Sequence, residues 1–382
     1  MILYKIRQNH HSSKPSNPTR PIYTIHSYSC KRTNYPSRLV REVFKNSSIQ
    51  LVSTSDKNTV NQSIDLWIPN GYYKIESQLR DLSKQPNQLQ YYSVLFGIDG
   101  CDKIVSKHSL WLLLLKEYGR KKARQIMPES YYLRNSQDRE LLIEADKQKP
   151  KESFWILKND KQRKQGLLLT RDISHFINHI EPTIQSSKDT YKLAQRFYDN
   201  SYTIQNHKFN FRFYLVILCY EQQIEWYLSR DGKIVYANQA TSSSSKTSSQ
   251  KTQDDISYEE HISSLQLDPS IYNRLPTLFS ELHPTLQHQL YPQIKQLVRM
   301  IQQPCSRYLG NSRSLQSTVK IQYFGIDILV LDDLSTVFLL EINKGPMMSY
   351  VNNKDKRLKQ NLIRSLLLIL QQDSCKDFME QI

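Results

Sequence analysis

The sequence predicts a mixed α/β protein built from more than one domain. Three observations carry that prediction. A strand, helix, strand order opens the readable part of the chain, helical apolar spacing appears at Leu110 to Tyr118 and again at Lys354 to Gln371, and the run Phe211 to Tyr220 is almost wholly apolar or aromatic. The 382 residues suffice for two or three domains at roughly 150 residues each. With 38% hydrophobic and 23% charged residues the chain is not disordered throughout. Its longest apolar runs, such as Leu110 to Leu115 and Leu366 to Leu370, fall far short of the ~18 residues a spanning helix needs, so no membrane span is expected.

Residues 1–20 read as a flexible basic leader, because Gln8 to Arg20 is rich in His, Ser, Pro and Asn and offers little to bury. The first 41 residues hold eight Lys or Arg and no acid, a bias seen in transit peptides. No apolar signal core follows the start, and the basic bias is diffuse. The cytoplasm is therefore expected and an organellar address disfavoured. From there Tyr23 to Tyr28 alternates as a strand, Arg38 to Phe44 reads as a helix and Ile64 to Ile68 as a second strand, a small N-terminal α/β domain over 21–95. The polar stretch Asp81 to Gln90 is where that unit should end.

A second region, 96–195, opens at Val94 to Phe96 and continues through the helix Leu110 to Tyr118, closed by Gly119 and a basic cluster Arg120 to Arg124 that reads as a solvated face. Phe154 to Leu157 and Leu167 to Thr170 then form strands around the charged loop Asn159 to Gly166. In the third region, 196–382, Phe211 to Tyr220 should be a central strand with Ile224 to Leu228 and Lys233 to Tyr236 as antiparallel partners across the turn Arg230-Asp231-Gly232. Residues 241–255 contain six serines and nothing strongly apolar, so they read as a disordered insertion.

Lys plus Arg (52) against Asp plus Glu (36) gives a net charge of +16, which attracts anionic partners without choosing among nucleic acid, nucleotide, membrane surface and acidic protein. No sequence of a known nucleic-acid module appears, so nucleic acid is not the expected partner. The five cysteines are widely spaced without a C-x-x-C pair and read as reduced thiols. His175 and His179 with Glu181 nearby have metal-like spacing, but no third ligand is evident and zinc is not expected.

The chemistry concentrates in a hairpin. Phe324 to Leu331 and Val337 to Asn343 flank the polar turn Asp332 to Thr336; with the turn centred on Leu334, Asp327 lies opposite Glu341, and alternation puts Asn343 on the same face. Two carboxylates and an amide oxygen facing one another suit a hard cation such as Mg²⁺ carrying nucleotide phosphates. Lys208, Asn210 and Arg212 share one face at the entry to the buried strand, where Arg212 could clamp phosphate or carboxylate oxygens. Lys158 ends an apolar strand, and the loop after it carries Lys161, Arg163, Lys164 and a single glycine, Gly166, where a phosphate cradle normally uses several.

Over roughly Tyr23 to Leu370 the chain resembles the tubulin tyrosine ligase-like family of ATP-grasp enzymes. Trp155-Ile156-Leu157-Lys158 resembles that family's W-I-x-K strand, Lys208 to Arg212 its K-F-D-x-R, Gly325 to Asp327 its G-x-D, and Glu341-Ile342-Asn343 its E-V-N. Ser106 to Leu110 and Pro128 to Leu133 are similar to its R-K-x-x-L and P-x-T-Y-x-L segments. The resemblance implies an ATP-grasp fold of the mixed α/β (α+β) class, with 96–195 as central lobe and 196–382 as the C-terminal lobe holding the metal site. It implies ATP and Mg²⁺ as cofactors. Lys107, Lys158, Lys164 and Lys208 would contact nucleotide, Gln195 would sit near adenine, Arg212 and Lys208 would serve the reacting group, and Asp327, Glu341 and Asn343 would hold Mg²⁺.

The implied reaction phosphorylates a protein carboxylate and joins the acyl phosphate to a free amino acid. The acceptor would be tubulin or another acidic protein tail, modified by tyrosination, glutamylation or glycylation by a monomeric enzyme of the cytoplasm, cytoskeleton or cilium. Asn210 stands where the family has Asp, Val235 replaces an Arg after the Gly232 turn, and His261-Ile262-Ser263-Ser264 only partly matches H-L-T-N. These departures leave an alternative, a catalytically inactive module that binds nucleotide or tubulin.

Overall fold

The computed structural model describes residues 22–29, 38–51, 64–148, 153–159, 166–174, 176–177, 191–241, 258–263, 268–315, 318–373 and 375–382. Residues 1–20, most of the insertion 241–255, the lysine-rich part of the 159–166 loop with Lys164, the His175, His179 and Glu181 group and Ser264 lie outside the described residues.

The N-terminal unit places β1 (Ser27–Ser29), α1 (Arg38–Asn46), β2 (Gln50–Leu51) and β3 (Ile64–Trp67) ahead of α2 (Ile75–Ser83), α3 (Pro86–Leu89) and β4 (Tyr92–Phe96). The predicted strand, helix, strand unit is present, with β1 parallel to β3 and β3 parallel to β4. The first strand is shorter than its sequence alternation suggests. The Tyr23 N–H is taken by the Leu370 carbonyl at the end of a distant helix, and the Asp65 carboxylate accepts from the backbone of His26 and Ser27. Tyr23 and His26 therefore satisfy their backbone N–H groups outside a strand. The stretch Asp81 to Gln90 is occupied by the end of α2 and by α3.

Next come α4 (Cys101–Val105), α5 (Lys107–Ile126), β5 (Ser130–Tyr132), α6 (Ser136–Gln148), β6 (Phe154–Lys158), β7 (Leu167–Thr170) and β8 (Leu193–Phe197). Gly119 breaks the helical backbone at φ 71°, as expected, but α5 resumes beyond it rather than ending there. Nor is the basic cluster wholly a solvated face. Arg120 reaches the Ser130 carbonyl and the Asp138 carboxylate and lies over the Tyr131 ring, while Arg124 pairs with Glu129. Strands β5, β8, β6 and β7, in that order, form a four-stranded antiparallel sheet.

The rest of the chain supplies β9 (Thr203–Ile204), β10 (His207–Tyr220), β11 (Gln223–Ser229), β12 (Lys233–Tyr236), α7 (Tyr258–His261), α8 (Pro284–Ser306), β13 (Val319–Val330), β14 (Val337–Asn343), α9 (Asn353–Gln371) and β15 (Met379–Gln381). Together with β1 to β4 they make an 11-stranded mixed sheet, in which β4 joins β13 in parallel. The mixed α/β class predicted from the sequence is the class observed. β10 is central, antiparallel to β11 and β12 on one side and to β13 on the other. Phe209, Phe211, Phe213, Leu215 and Ile217 on one of its faces join a core that includes Leu290, Ile294 and Leu297 of α8; Tyr214, Val216 and Leu218 on the other pack in a core with Leu362 and Leu366 of α9. A fully buried side chain of this kind stabilises the fold by about 1.5–3 kcal/mol. That doubly covered strand is the rigid support on which the polar residues of its N-terminal half are mounted. α9 starts where the Asn352 side chain accepts the N–H groups of Lys354 and Asp355, an N-cap that also fixes the position of Asp355.

Candidate active site

The carboxylate hairpin is where alternation and turn position put it, although by a different count. Val330 pairs with Val337, so the turn is centred between Asp333 and Leu334; a bulge at Leu340 shifts the register by one and brings Asp327 opposite Glu341, with Asn343 opposite Gly325. On the other side of β13, Asp327 also lies opposite Arg212 of β10. Arg212, Asp327 and Glu341 thus form a row across three strands and share one face. Arg212 takes the Asp327 carboxylate at both oxygens, with 2.6 Å between Nη2 and Oδ2. Gly325 makes room for this: a Cβ there would meet Arg212 Cδ at 3.0 Å and Pro346 Cβ at 3.1 Å. A side chain at the glycine of the G-x-D motif would thus press on the arginine lying across it.

Two lysines from other elements reach the same spot. Lys107 opens α5 behind the Ser106 N-cap, and its Nζ lies 3.7 Å from Glu341 Oε2. Lys158 ends β6 of the smaller sheet, is 7% exposed, and donates to Gln195 Oε1 at 2.5 Å. Gln195, on β8, donates in turn to the Ser130 hydroxyl at 2.9 Å, so three neighbouring strands hold the lysine head in one position. Asn343 Nδ2 donates to Glu341 Oε1 at 3.0 Å.

The electrostatics follow from this crowding. Burial pushes the Lys158 ammonium down to about 8 from its usual 10.5, with Lys107 adding to the effect and Glu341 opposing it. Burial raises Glu341, but Lys107, Lys158 and Arg212 outweigh it and hold the carboxylate below its ordinary range. Asp327 is held above its ordinary range by burial and by the approach of Glu341, against the pull of Arg212. Among the described residues the three cations Lys107, Lys158 and Arg212 face the carboxylates of Asp327 and Glu341, a predominantly cationic and largely buried setting. Such a charge inside a low-dielectric cleft attracts anions far more strongly than an exposed one does.

Lys208 lies apart from this group. Its ammonium pairs with Asp199, approaches His261 Nδ1 at 3.0 Å and sits 5.2 Å from the centre of the Phe197 ring; burial lowers its pKa. Asn210, between Lys208 and Arg212 on the same face, accepts the Ser263 hydroxyl. Sequence reasoning does not find Asp199; Ser130 and Ser263 lie in segments it singles out, but their bonds to Gln195 and Asn210 arise only through the fold.

Asp327, Glu341 and the Asn343 amide oxygen form an all-oxygen donor set of the kind Mg²⁺ prefers, and a carboxylate oxygen already bonded to arginine retains lone pairs for a metal. The residues present therefore fit such an ion. Glu76, Cys101 and Asp102 also gather closely, but Lys344 neutralises Asp102, and Glu76 accepts the Asp102 backbone N–H at 2.5 Å. No helix among the described residues is long and apolar enough to cross a membrane. A family model described as the tubulin-tyrosine ligase family matches residues 87–377, a span that contains every site residue named above. No curated protein matches the chain.

Proposed function

The chain belongs to the tubulin-tyrosine ligase family, and we propose that it is an ATP- and Mg²⁺-dependent ligase that joins a free amino acid to a carboxylate on tubulin or a similarly acidic protein tail. The observation that carries this reading is the row Arg212, Asp327, Glu341, met from the second sheet by Lys158 and from α5 by Lys107. A carboxylate does not react with an amine because its oxygen is a poor leaving group. Transfer of the terminal phosphoryl group of ATP onto that oxygen forms an acyl phosphate and ADP. The amine nitrogen then forms the C–N bond, the C–O bond to phosphate breaks, phosphate leaves and a proton from nitrogen is released to solvent.

The chain needs no nucleophile of its own for this sequence. Its residues bind and neutralise. Lys107 and Lys158 would meet phosphate oxygens, and Arg212 would share its fork between Asp327 and the reacting carboxyl or phosphoryl oxygens. Asp327, Glu341 and Asn343 would hold Mg²⁺, which when bound supplies charge neutralisation at the transferring phosphoryl group. The positions of Lys208 and Gln195 beside the cleft suit the nucleotide's other end. The +16 net charge suits an acidic acceptor.

The test is incorporation of labelled tyrosine, glutamate or glycine into tubulin with Mg²⁺ and ATP, comparing the native chain with Glu341→Gln. Incorporation by the native chain that is abolished in the variant is expected. ATP-dependent incorporation at an equal rate in both would contradict the assignment, and ATP binding without any incorporation would favour a silent nucleotide-binding module.

A further inference from the structure

The charged row does not end at Arg212. Lys233 of β12 lies directly opposite Arg212, so across four strands the row reads Lys233, Arg212, Asp327, Glu341. With strands about 4.8 Å apart, the root of Lys233 is roughly 10 Å from that of Asp327. Its ammonium is 2.7 Å from Asp355 Oδ2 in the first turn of α9, and Lys359 Nζ is 2.9 Å from Oδ1 of the same carboxylate. Lys359 also donates to the Ser349 carbonyl, and the Tyr272 ring lies 5.2 Å from the Lys233 ammonium.

Among the described residues two lysines thus share one carboxylate in a nearly dry setting, which leaves one positive charge over. The Asp355 side chain is 0% exposed and that of Lys359 3%, whereas that of Lys233 is 12% exposed. Lys233 is the member of the trio that solvent reaches. An uncompensated buried charge is costly unless an anion meets it. Val235, next along the same face of β12, carries no charge, and its opposite number Asn210 is bonded to Ser263.

We propose that Lys233, held by the Asp355–Lys359 pair, is the cation that receives the α-carboxylate of the free amino acid. The assignment rests on the ligase reading above. An amino acid brings its own carboxylate to a site built to activate carboxylates and bind phosphates. A cation one strand away from Arg212 holds that group aside while the amine faces the acyl phosphate forming over Asp327 and Glu341. Lys233 is thereby a specificity-determining residue that separates α-amino acids from simple amines.

The test is calorimetry on the full chain saturated with Mg²⁺ and a non-hydrolysable ATP analogue, titrated separately with tyrosine, glutamate and glycine and with the α-carboxamide of each. At least one amino acid should bind, with its α-amide weaker by at least about tenfold, the scale of one lost charge-assisted hydrogen bond. Lys233→Met should weaken the amino acid to the level of its amide, Lys233→Arg should largely restore the difference, and nucleotide affinity should be unchanged in both. Should the single variant fold poorly, Lys233→Gln keeps a neutral donor towards Asp355 and leaves the Asp355–Lys359 pair intact, and the same collapse of the difference is expected. An acid-to-amide ratio unchanged by Lys233→Met overturns the proposal, as does a nucleotide-loaded native chain that binds none of the three. For glutamate, discrimination against glutamine but not against the α-amide would also overturn it. Failure of the native chain to bind nucleotide overturns the ligase reading and this assignment together; intact nucleotide binding with no effect of Lys233 overturns the assignment alone.

Discussion

Nucleotide affinity should fall as pH rises through about 8, because Lys158 gives up its proton there. The ammonium is buried, accepted among the described residues by a neutral amide oxygen at 2.5 Å and opposed by Lys107; burial, with Lys107 adding to it, brings it to about 8. Phosphate oxygens arriving beside it favour the charged form and should return it towards its ordinary 10.5. The bound state then holds more protons than the free state between those two values, so binding takes up a proton and weakens as pH rises. Between pH 7.5 and 9.5 the loss comes to about 20-fold, or about 1.8 kcal/mol at 1.36 kcal/mol per tenfold. Near pH 8.5 about three-quarters of a proton should be taken up per nucleotide. Calorimetry of Mg²⁺-ATP binding across this range, in buffers of different ionisation enthalpy, reads both quantities. Lys359 is likewise brought to about 8, chiefly by burial, so Lys158→Met is the control that separates them: it should bind more weakly at pH 7.5 and show a nearly flat profile. A flat profile in the native chain, or the same fall in Lys158→Met, would refute the reasoning.

Other consequences concern the supports of the row. Gly325→Ala should displace Arg212 by a few tenths of an ångström against Asp327 and cost about 1–3 kcal/mol in urea unfolding, with slower ligation, since its Cβ would press on both Arg212 and Pro346. A change below about 0.5 kcal/mol, the usual spread at a neutral site, together with full activity would count against that packing argument. Arg212→Lys should fold but lose ligation, because one ammonium does not reproduce the two-point grip on Asp327; retained turnover would show that the fork geometry is dispensable. Asp99→Asn should destabilise by about 3 kcal/mol, because Lys320 is 2% exposed and would be left with neutral acceptors alone, the Gly310 carbonyl and an amide oxygen, once the Asp99 carboxylate, 3.2 Å away, loses its charge. A loss under about 1 kcal/mol by urea unfolding would mean that the lysine finds water instead.

Much of this site was legible because period-two alternation is a short-range rule. Asp327, Glu341 and Asn343 could be placed on one face from the strands alone, and β10 announced itself by apolar residues on both faces. The expected register was reached only because the bulge at Leu340 offsets a turn displaced by half a residue, and nothing in the local sequence reveals such a bulge. The segment from Tyr23 shows the limit on the other side: alternation says that a stretch can be a strand, not that a neighbouring strand is available, and Tyr23 bonds to the end of α9 instead. Its place at the entry to a buried strand marks Arg212 as a clamp for ligand oxygens, yet in the structure its fork grips Asp327, a partner 115 residues away. The Lys233, Asp355, Lys359 trio was invisible for the same reason, since 122 residues separate Lys233 from Asp355.

The central claim is that the Asp327–Glu341 hairpin is the metal-nucleotide site of a ligase. Mg²⁺-dependent ATP binding to the native chain and to Glu341→Gln, measured by calorimetry with and without the metal, tests it most directly. The account predicts that the native chain binds ATP only with Mg²⁺ and that the variant loses most of this metal-dependent affinity while keeping its thermal stability. Equal Mg²⁺-dependent binding by both proteins, or no binding by the native chain, would contradict it.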